Sequence, residues 1–268
     1  MIELRLPALR PQRLTSGGRR WVLVADFQPF AAGRRLAELL AAGAASAELS
    51  ILQLDPAQDL IGADYLALPE LAAGYADALQ AELSADQPAE VLVVGYCSAA
   101  VLAAGIADRL VANKVSMLLL RPTWPDESLI AAVLAEIRTE LGATDPAPAL
   151  TGTPIQRLDA VLAQLHADLR GFALAHQLDP DSRPLLELLD RYRGWFGYLV
   201  SACDALDLGW QPDRSLPLQI FSDVALPAAL PWPAPAGFRQ LGFQLPEAEA
   251  DATEQLALAV GEHLGRAH

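Results

Sequence analysis

Positive charge is scarce in this chain. Lys and Arg number 19 against 33 Asp and Glu, a formal net charge of −14 over 268 residues. That balance argues against nucleic acid as a partner. It also repels a free carboxylate substrate and gives no help in docking an acidic protein unless a local basic patch exists. Arg34 with Arg35, or Arg183 with Arg191 and Arg193, are the candidates for such a patch, and a solvated face is the plainer reading of each. Cysteine is nearly absent: Cys97 and Cys203 do not make a disulfide framework in a chain of this length. No uncharged apolar run reaches the ~18 residues that a membrane span needs. The start, Met1-Ile2-Glu3-Leu4-Arg5, has no long apolar core behind a basic residue, so no signal peptide is expected. These absences together predict a soluble, cytoplasmic protein with no membrane association. No internal repeat is found. The chain does carry apolar residues in quantity, 53% against 19% charged, enough for one large α/β domain or two small ones.

Strand and helix patterns alternate through the first half. After a polar, irregular stretch over 1–20, Trp21–Ala25 reads as a strand, and Asp26-Phe27-Gln28-Pro29-Phe30 as a loop. Ala31–Ala45 has apolar residues at helical spacing, and Glu48–Leu54 is a second strand. Leu68-Pro69-Glu70 opens a helix to about Leu83, with Pro69 in the first turn. Val91–Val94 is a strand, Ala100 to about Val111 a helix, and Val115–Leu120 a strand. Such alternation predicts a mostly parallel, doubly wound sheet. After Pro125 three helices follow with no strand between them: Glu127–Leu141, Ile155–Leu174 and Pro184–Leu206. They form a helical insertion over about 126–214 in what is expected to be one domain, 1–268. Leu216–Phe221 returns to strand, Leu226–Pro235 is a Pro-rich loop, and Gly237–Leu241 is a short last strand. Asp251 or Thr253 caps a final helix with Leu256, Val260 and Leu264 on one face.

The junction Gly95-Tyr96-Cys97-Ser98-Ala99 carries the chemistry. Strand, tight turn and helix in this order make a nucleophile elbow, with cysteine where most such elbows carry serine. The turn needs small residues on both sides of the nucleophile, and Gly95 and Ala99 supply them. The competing reading is a buried spectator thiol at a strand end.

From about residue 21 to 265 the order of elements resembles the thioesterase branch of the α/β-hydrolase fold, whose members act on acyl chains held on carrier proteins in polyketide and nonribosomal peptide synthesis. The resemblance rests on Leu68-Pro69-Glu70-Leu71-Ala72 through Ala78, then Val91–Ala100 and Ala103–Leu110. It implies an α/β-hydrolase fold in which the insertion over 126–214 is a lid. It implies no bound cofactor, an acyl or peptidyl carrier protein as partner, and a substrate held on that carrier's phosphopantetheine. It also implies a triad and an oxyanion hole. Ser98 N–H is the expected first donor, and the N–H of Phe27 or Gln28 the second, although the His-Pro-Gly-Gly-like run of the family is absent. The acid is open between Asp126, in the loop after the strand that follows the elbow, and Asp223, after the Leu216–Phe221 strand. Arg121 stands where thioesterases often place a carboxylate. The family histidine precedes the last helix, about Phe243–Glu247, and none occurs there. His263 fits the chain order of a Cys97–Asp126–His263 triad, yet ten residues into a helix it lies on the order of 15 Å along it. His166 and His176 fall in the lid.

A cysteine thiolate exchanges readily with a thioester, but the enzyme-bound product is again a thioester, which disfavours simple hydrolysis. Three readings follow: release by cyclisation, as in Dieckmann cyclases with a Cys nucleophile; a shuttle moving an acyl or aminoacyl group between carriers; and a non-catalytic binding relative. An editing thioesterase is a further alternative. Trp195, Phe196, Tyr198 and Leu199, close together on one helix, either pack the lid or line an acyl channel.

Overall fold

The structure, a computed structural model, describes residues 9–27, 34–43, 48–147, 149–223, 229–243 and 249–266. These divide into two compact units. One comprises 1–8, 57–68 and 125–208; the other comprises 9–56, 69–124 and 209–268.

The second unit is built on a seven-stranded sheet. Its strands are β1 (Gln12–Arg13), β2 (Arg20–Asp26), β3 (Leu49–Leu54), β4 (Glu90–Tyr96), β5 (Val115–Leu120), β6 (Leu218–Asp223) and β7 (Arg239–Phe243), in the spatial order β1-β3-β2-β4-β5-β6-β7. All neighbours are parallel except β1, which pairs antiparallel with β3. Continuous apolar runs make the central strands because both faces of a parallel sheet are covered. Val22, Leu23, Val24, Val91, Val93 and Val94 are all 0% exposed. The covering helices in this unit include α1 (Leu36–Ala42), α3 (Leu68–Asp86), α4 (Ala100–Arg109) and α8 (Glu249–Arg266). Leu256, Val260 and Leu264 of α8 pack with Leu36 and Leu40 of α1 on one face of the sheet.

The other unit contains the three long helices, α5 (Glu127–Glu140), α6 (Pro154–Ala175) and α7 (Arg183–Asp207). Helix α6 starts where its sequence says it should. Pro154 takes the first helical position, Thr153 Oγ1 accepts from Gln156 N (3.3 Å), and Gln156 Oε1 accepts from Thr153 N (2.9 Å). Leu158, Val161, Leu165, Leu169 and Ala173 form its buried stripe at spacings of three and four. Two buried arginines tie the bundle. Arg138 of α5 pairs with Asp168 of α6 (2.8 Å) and with Asp145, and Arg157 of α6 reaches Glu127 of α5 and Asp204 of α7 (3.3 Å each). Each spans elements far apart in sequence and has two carboxylates, so only the loss of both would leave a buried cation uncompensated.

Sequence patterning placed nearly every long element to within a few residues. It missed strand β1 within the stretch read as irregular, and the single turn α2 (Pro56–Asp59). It also placed the cap of the last helix at Asp251 or Thr253, whereas α8 already begins at Glu249. β1 is two residues long and exists only because Gln12 and Arg13 find Gln53 and Leu52 on β3, a partner about forty residues away that no local pattern reveals. No helix among the described residues is long and apolar enough to cross a membrane.

Candidate functional site

The elbow lies at the carboxyl end of β4, the edge at which parallel α/β sheets present their ligands. Strand β4 stops at Tyr96, Cys97–Ala99 make one 3₁₀ turn, and α4 begins at Ala100. Cys97 takes φ +53°, a left-handed conformation that costs a non-glycine residue roughly 1 kcal/mol or more. In a strand–turn–helix elbow such a conformation turns the nucleophile's side chain off the strand. Gly95 is obligatory there. A Cβ at that position would lie 2.7 Å from Ala103 Cβ and 2.8 Å from Ala100 Cα. Strand and helix touch through the missing side chain, which is why glycine at 95 is a signal of the elbow rather than of flexibility.

The turn after β5 locks onto the nucleophile. Thr123 N donates to Cys97 O (3.2 Å), and Cys97 Sγ lies 3.5 Å from Thr123 Oγ1. Cys97 is half-buried. Its neighbour is therefore a neutral hydroxyl, able to orient the thiol but not to take its proton at neutral pH. Ser98, the expected oxyanion donor, is buried directly behind Cys97. Phe27 is buried directly after β2, the strand beside β4, whereas Gln28 lies outside the described residues.

The candidate acids and histidines have local surroundings of their own. Asp126 belongs to the helical unit, where it is the N-cap of α5; its Oδ1 accepts from Leu129 N at 2.7 Å. That bond accounts for a carboxylate at this position without any catalytic part. Asp223 ends β6, paired with Phe243 of β7. His263 sits on α8, and its ring meets Phe221 of β6 edge-on at 5.5 Å between centroids. His166 is exposed on α6, and His176, also exposed, rests against Phe172 at 4.3 Å. In the helical unit Phe196, Tyr198 and Leu199 are buried and Trp195 is half-buried against Phe196. The second cysteine, Cys203, is buried in the same unit with Sγ 3.4 Å from Asp207 Oδ2, and burial first, then that carboxylate, pushes its thiol up to about 11.

One residue at the sheet edge was read only as part of a loop. Asp26 closes β2 and is the register partner of Tyr96, the residue before Cys97. Its carboxyl is wholly buried. Oδ2 accepts from Leu36 N at 3.3 Å, whereas Oδ1 has no hydrogen-bond partner. Burial raises its pKa to about 6, against the opposing pull of the Leu36 N–H and of Arg35. Tyr96 is raised as well, again by burial first, despite its hydrogen bond with Thr253 and the nearby Arg121. The available signal was a charged residue directly after an apolar strand, at the edge where α/β folds place their sites.

Among the described residues there is no group of three or more His, Cys, Asp or Glu able to hold a metal ion. No protein-family model matches the chain, and no curated protein matches it either. Solved structures do. One is a lipase-esterase related protein from Clostridium acetobutylicum, 11% identical over 96% of this chain and 98% of that one, with a TM-score of 0.53. The Vlm2 thioesterase domain, solved with a dodecadepsipeptide, is 15% identical over 94% and 97%, with a TM-score of 0.52. AqDC, a protein of ring cleavage of the Pseudomonas quinolone signal, is 15% identical over 96% of each chain, with a TM-score of 0.51. These likenesses, on top of the parallel sheet and its flanking helices, show that the chain has the α/β-hydrolase fold.

Proposed function

We propose that this protein is an acyl-processing enzyme that works through a covalent thioester on Cys97, and that it releases its product by cyclisation. The strained conformation of Cys97 carries the reading. A spectator thiol has no use for φ +53°, for a glycine packed at 2.7 Å, or for a helix beginning three residues on. The fold shared with esterases and a thioesterase supports acyl chemistry in general.

In the first step Cys97 Sγ adds to the thioester carbonyl and the donor thiol leaves with the proton. Ser98 N–H, in the turn just before α4, is the donor we assign to the oxyanion, with the helix amino end next to it. In the second step a carbon nucleophile of the same acyl chain attacks the acyl-Cys97 carbonyl. A carbon–carbon bond forms, the carbon–sulfur bond breaks, and the proton lost by carbon ends on Sγ. No water has to be activated. The Thr123 hydroxyl beside Sγ orients the thiol for the first attack. The substrate is an acyl or peptidyl chain on the phosphopantetheine of a carrier protein, and the enzyme works without a cofactor in the cytoplasm.

Intact-protein mass spectrometry after mixing with an acyl thioester tests the reading. An adduct on wild-type protein that is absent from Cys97→Ala supports it. Full turnover by Cys97→Ala, or no adduct with any donor, overturns it. An adduct that moves to a second carrier instead of cyclising identifies a shuttle.

A further inference from the structure

Four non-glycine residues among those described have positive φ. Gln87 and Gln177 follow the ends of α3 and α6, where a left-handed residue is an ordinary helix stop. The other two are Cys97 at +53° and Arg121 at +45°. They end neighbouring strands at the same level: Tyr96 of β4 pairs with Leu120 of β5, and each strained residue comes next on its own strand. Parallel neighbours run about 4.8 Å apart. Arg121 N–H is pinned to Phe221 O at 2.7 Å, and two residues further on Thr123 holds both the carbonyl and the thiol of Cys97. The turn that carries Arg121 is thus built into the elbow.

Arg121 is half-buried, and its charge opposes the rise in the pKa of the Tyr96 phenol. In a chain with 33 carboxylates, no described carboxylate pairs with it. Arg138, Arg157, Arg20 and Arg35, buried or half-buried, have acidic partners, and the half-buried Arg109 bonds the Gly105 carbonyl. A fork of donors with no acidic partner, on the strand end next to that of the nucleophile and in a protein of strong negative charge, is suited to an incoming anion.

We propose that Arg121 is an anion anchor for the acyl donor, gripping a carboxylate or phosphate oxyanion while Cys97 attacks the thioester. This rests on the reading of Cys97 as nucleophile and adds the class of donor: one that carries a negative group close to its reacting carbonyl. That group has two sources, a carboxylate on the acyl chain or the phosphate of the arm that bears it.

Two experiments test the anchor. The first needs no acyl transfer. Iodoacetate and iodoacetamide alkylate the same sulfur, with the S–C bond formed and iodide expelled in each, and they differ in one negative charge. Their rate ratio at Cys97 cancels the ionisation of the thiol. Arg121→Gln should lower the ratio about fivefold or more, and Arg121→Lys should keep most of it. Arg121→Gly, which suits the positive φ, repeats the loss in a variant with no backbone strain. An unchanged ratio in both variants overturns the anchor.

The second experiment compares acylation of Cys97 by three thioesters of one chain length: a neutral N-acetylcysteamine thioester, the same thiol arm with a terminal carboxylate on the acyl group, and the neutral acyl group on 4′-phosphopantetheine. The donor whose advantage in kcat/KM disappears in Arg121→Gln identifies the source of the anion. If neither charged donor has such an advantage, the substrate role fails. Should no donor acylate Cys97, the nucleophile reading falls, while the alkylation ratio still decides whether Arg121 binds an anion.

Discussion

Asp26 makes an unusual prediction about stability. Its carboxyl is wholly buried, and its pKa stands at about 6 against an ordinary 3.8. The native state therefore keeps this proton to higher pH than the unfolded chain does. The contribution of Asp26 to stability must fall as pH rises from about 4 to about 6, the reverse of a salt-bridged aspartate. At 1.36 kcal/mol per pH unit, the interval from 3.8 to about 6 corresponds to about 3 kcal/mol, fully present as a cost above pH 6. Asp26→Asn removes the charge and keeps an oxygen to accept from Leu36 N. Its new N–H₂ would stand where Oδ1 now lacks a partner, returning roughly 1–2 kcal/mol. The net expectation is a gain of about 1–2 kcal/mol at pH 7.5, a rise in Tm of roughly 2–8 °C. At pH 4 the gain vanishes or reverses. Thermal unfolding of both proteins across pH 4–8 measures the difference, which also cancels the titration of every other carboxylate. A difference that does not change with pH would refute the burial argument. A gain in stability accompanied by slower acylation of Cys97 would show that the carboxylate is kept for the site.

Gly95→Ala should be severe, because the added Cβ meets a helix backbone atom at 2.8 Å; we expect a loss of about 2–4 kcal/mol in denaturant titration, and an unperturbed midpoint would contradict the elbow packing. Asp126→Ala should cost about 1 kcal/mol of stability through the lost cap and leave the rate of Cys97 acylation unchanged; a large fall in that rate would restore Asp126 as the acid. With its thiol pushed up to about 11, Cys203 should stay unmodified at pH 8 while Cys97 reacts, so peptide mapping after brief alkylation should find one labelled cysteine per chain.

The helices and most strands were legible because their signals are local. The stripe from Leu158 to Ala173 repeats at the helical period, and Thr153-Pro154 with Gln156 marks its start within four residues. The elbow was legible for the same reason, since Gly95, Cys97 and Ala99 sit together. The partners of Cys97 were not. Thr123 reaches it across 26 residues of chain, and nothing in Arg121-Pro122-Thr123 predicts that contact. Asp126 was a candidate acid by position, and a capping aspartate and a catalytic one read alike in sequence; the structure adds the bond to Leu129 N, a capping part that the sequence reading had not assigned. His263 was a candidate by chain order alone, and its ring contact with Phe221 was not visible in the sequence.

By itself, then, the sequence determined an alternating α/β chain with a helical insertion and a cysteine at a strand–helix junction, because spacing along one strand or helix encodes which face is buried. The tertiary structure alone decided that Cys97 and Arg121 are strained side by side, that Thr123 clasps the thiol, and that Asp26 is sealed beneath the same edge without a full set of partners. Those facts depend on which strands lie next to each other. Strand order is set by the packing of the whole sheet and not by any segment of it.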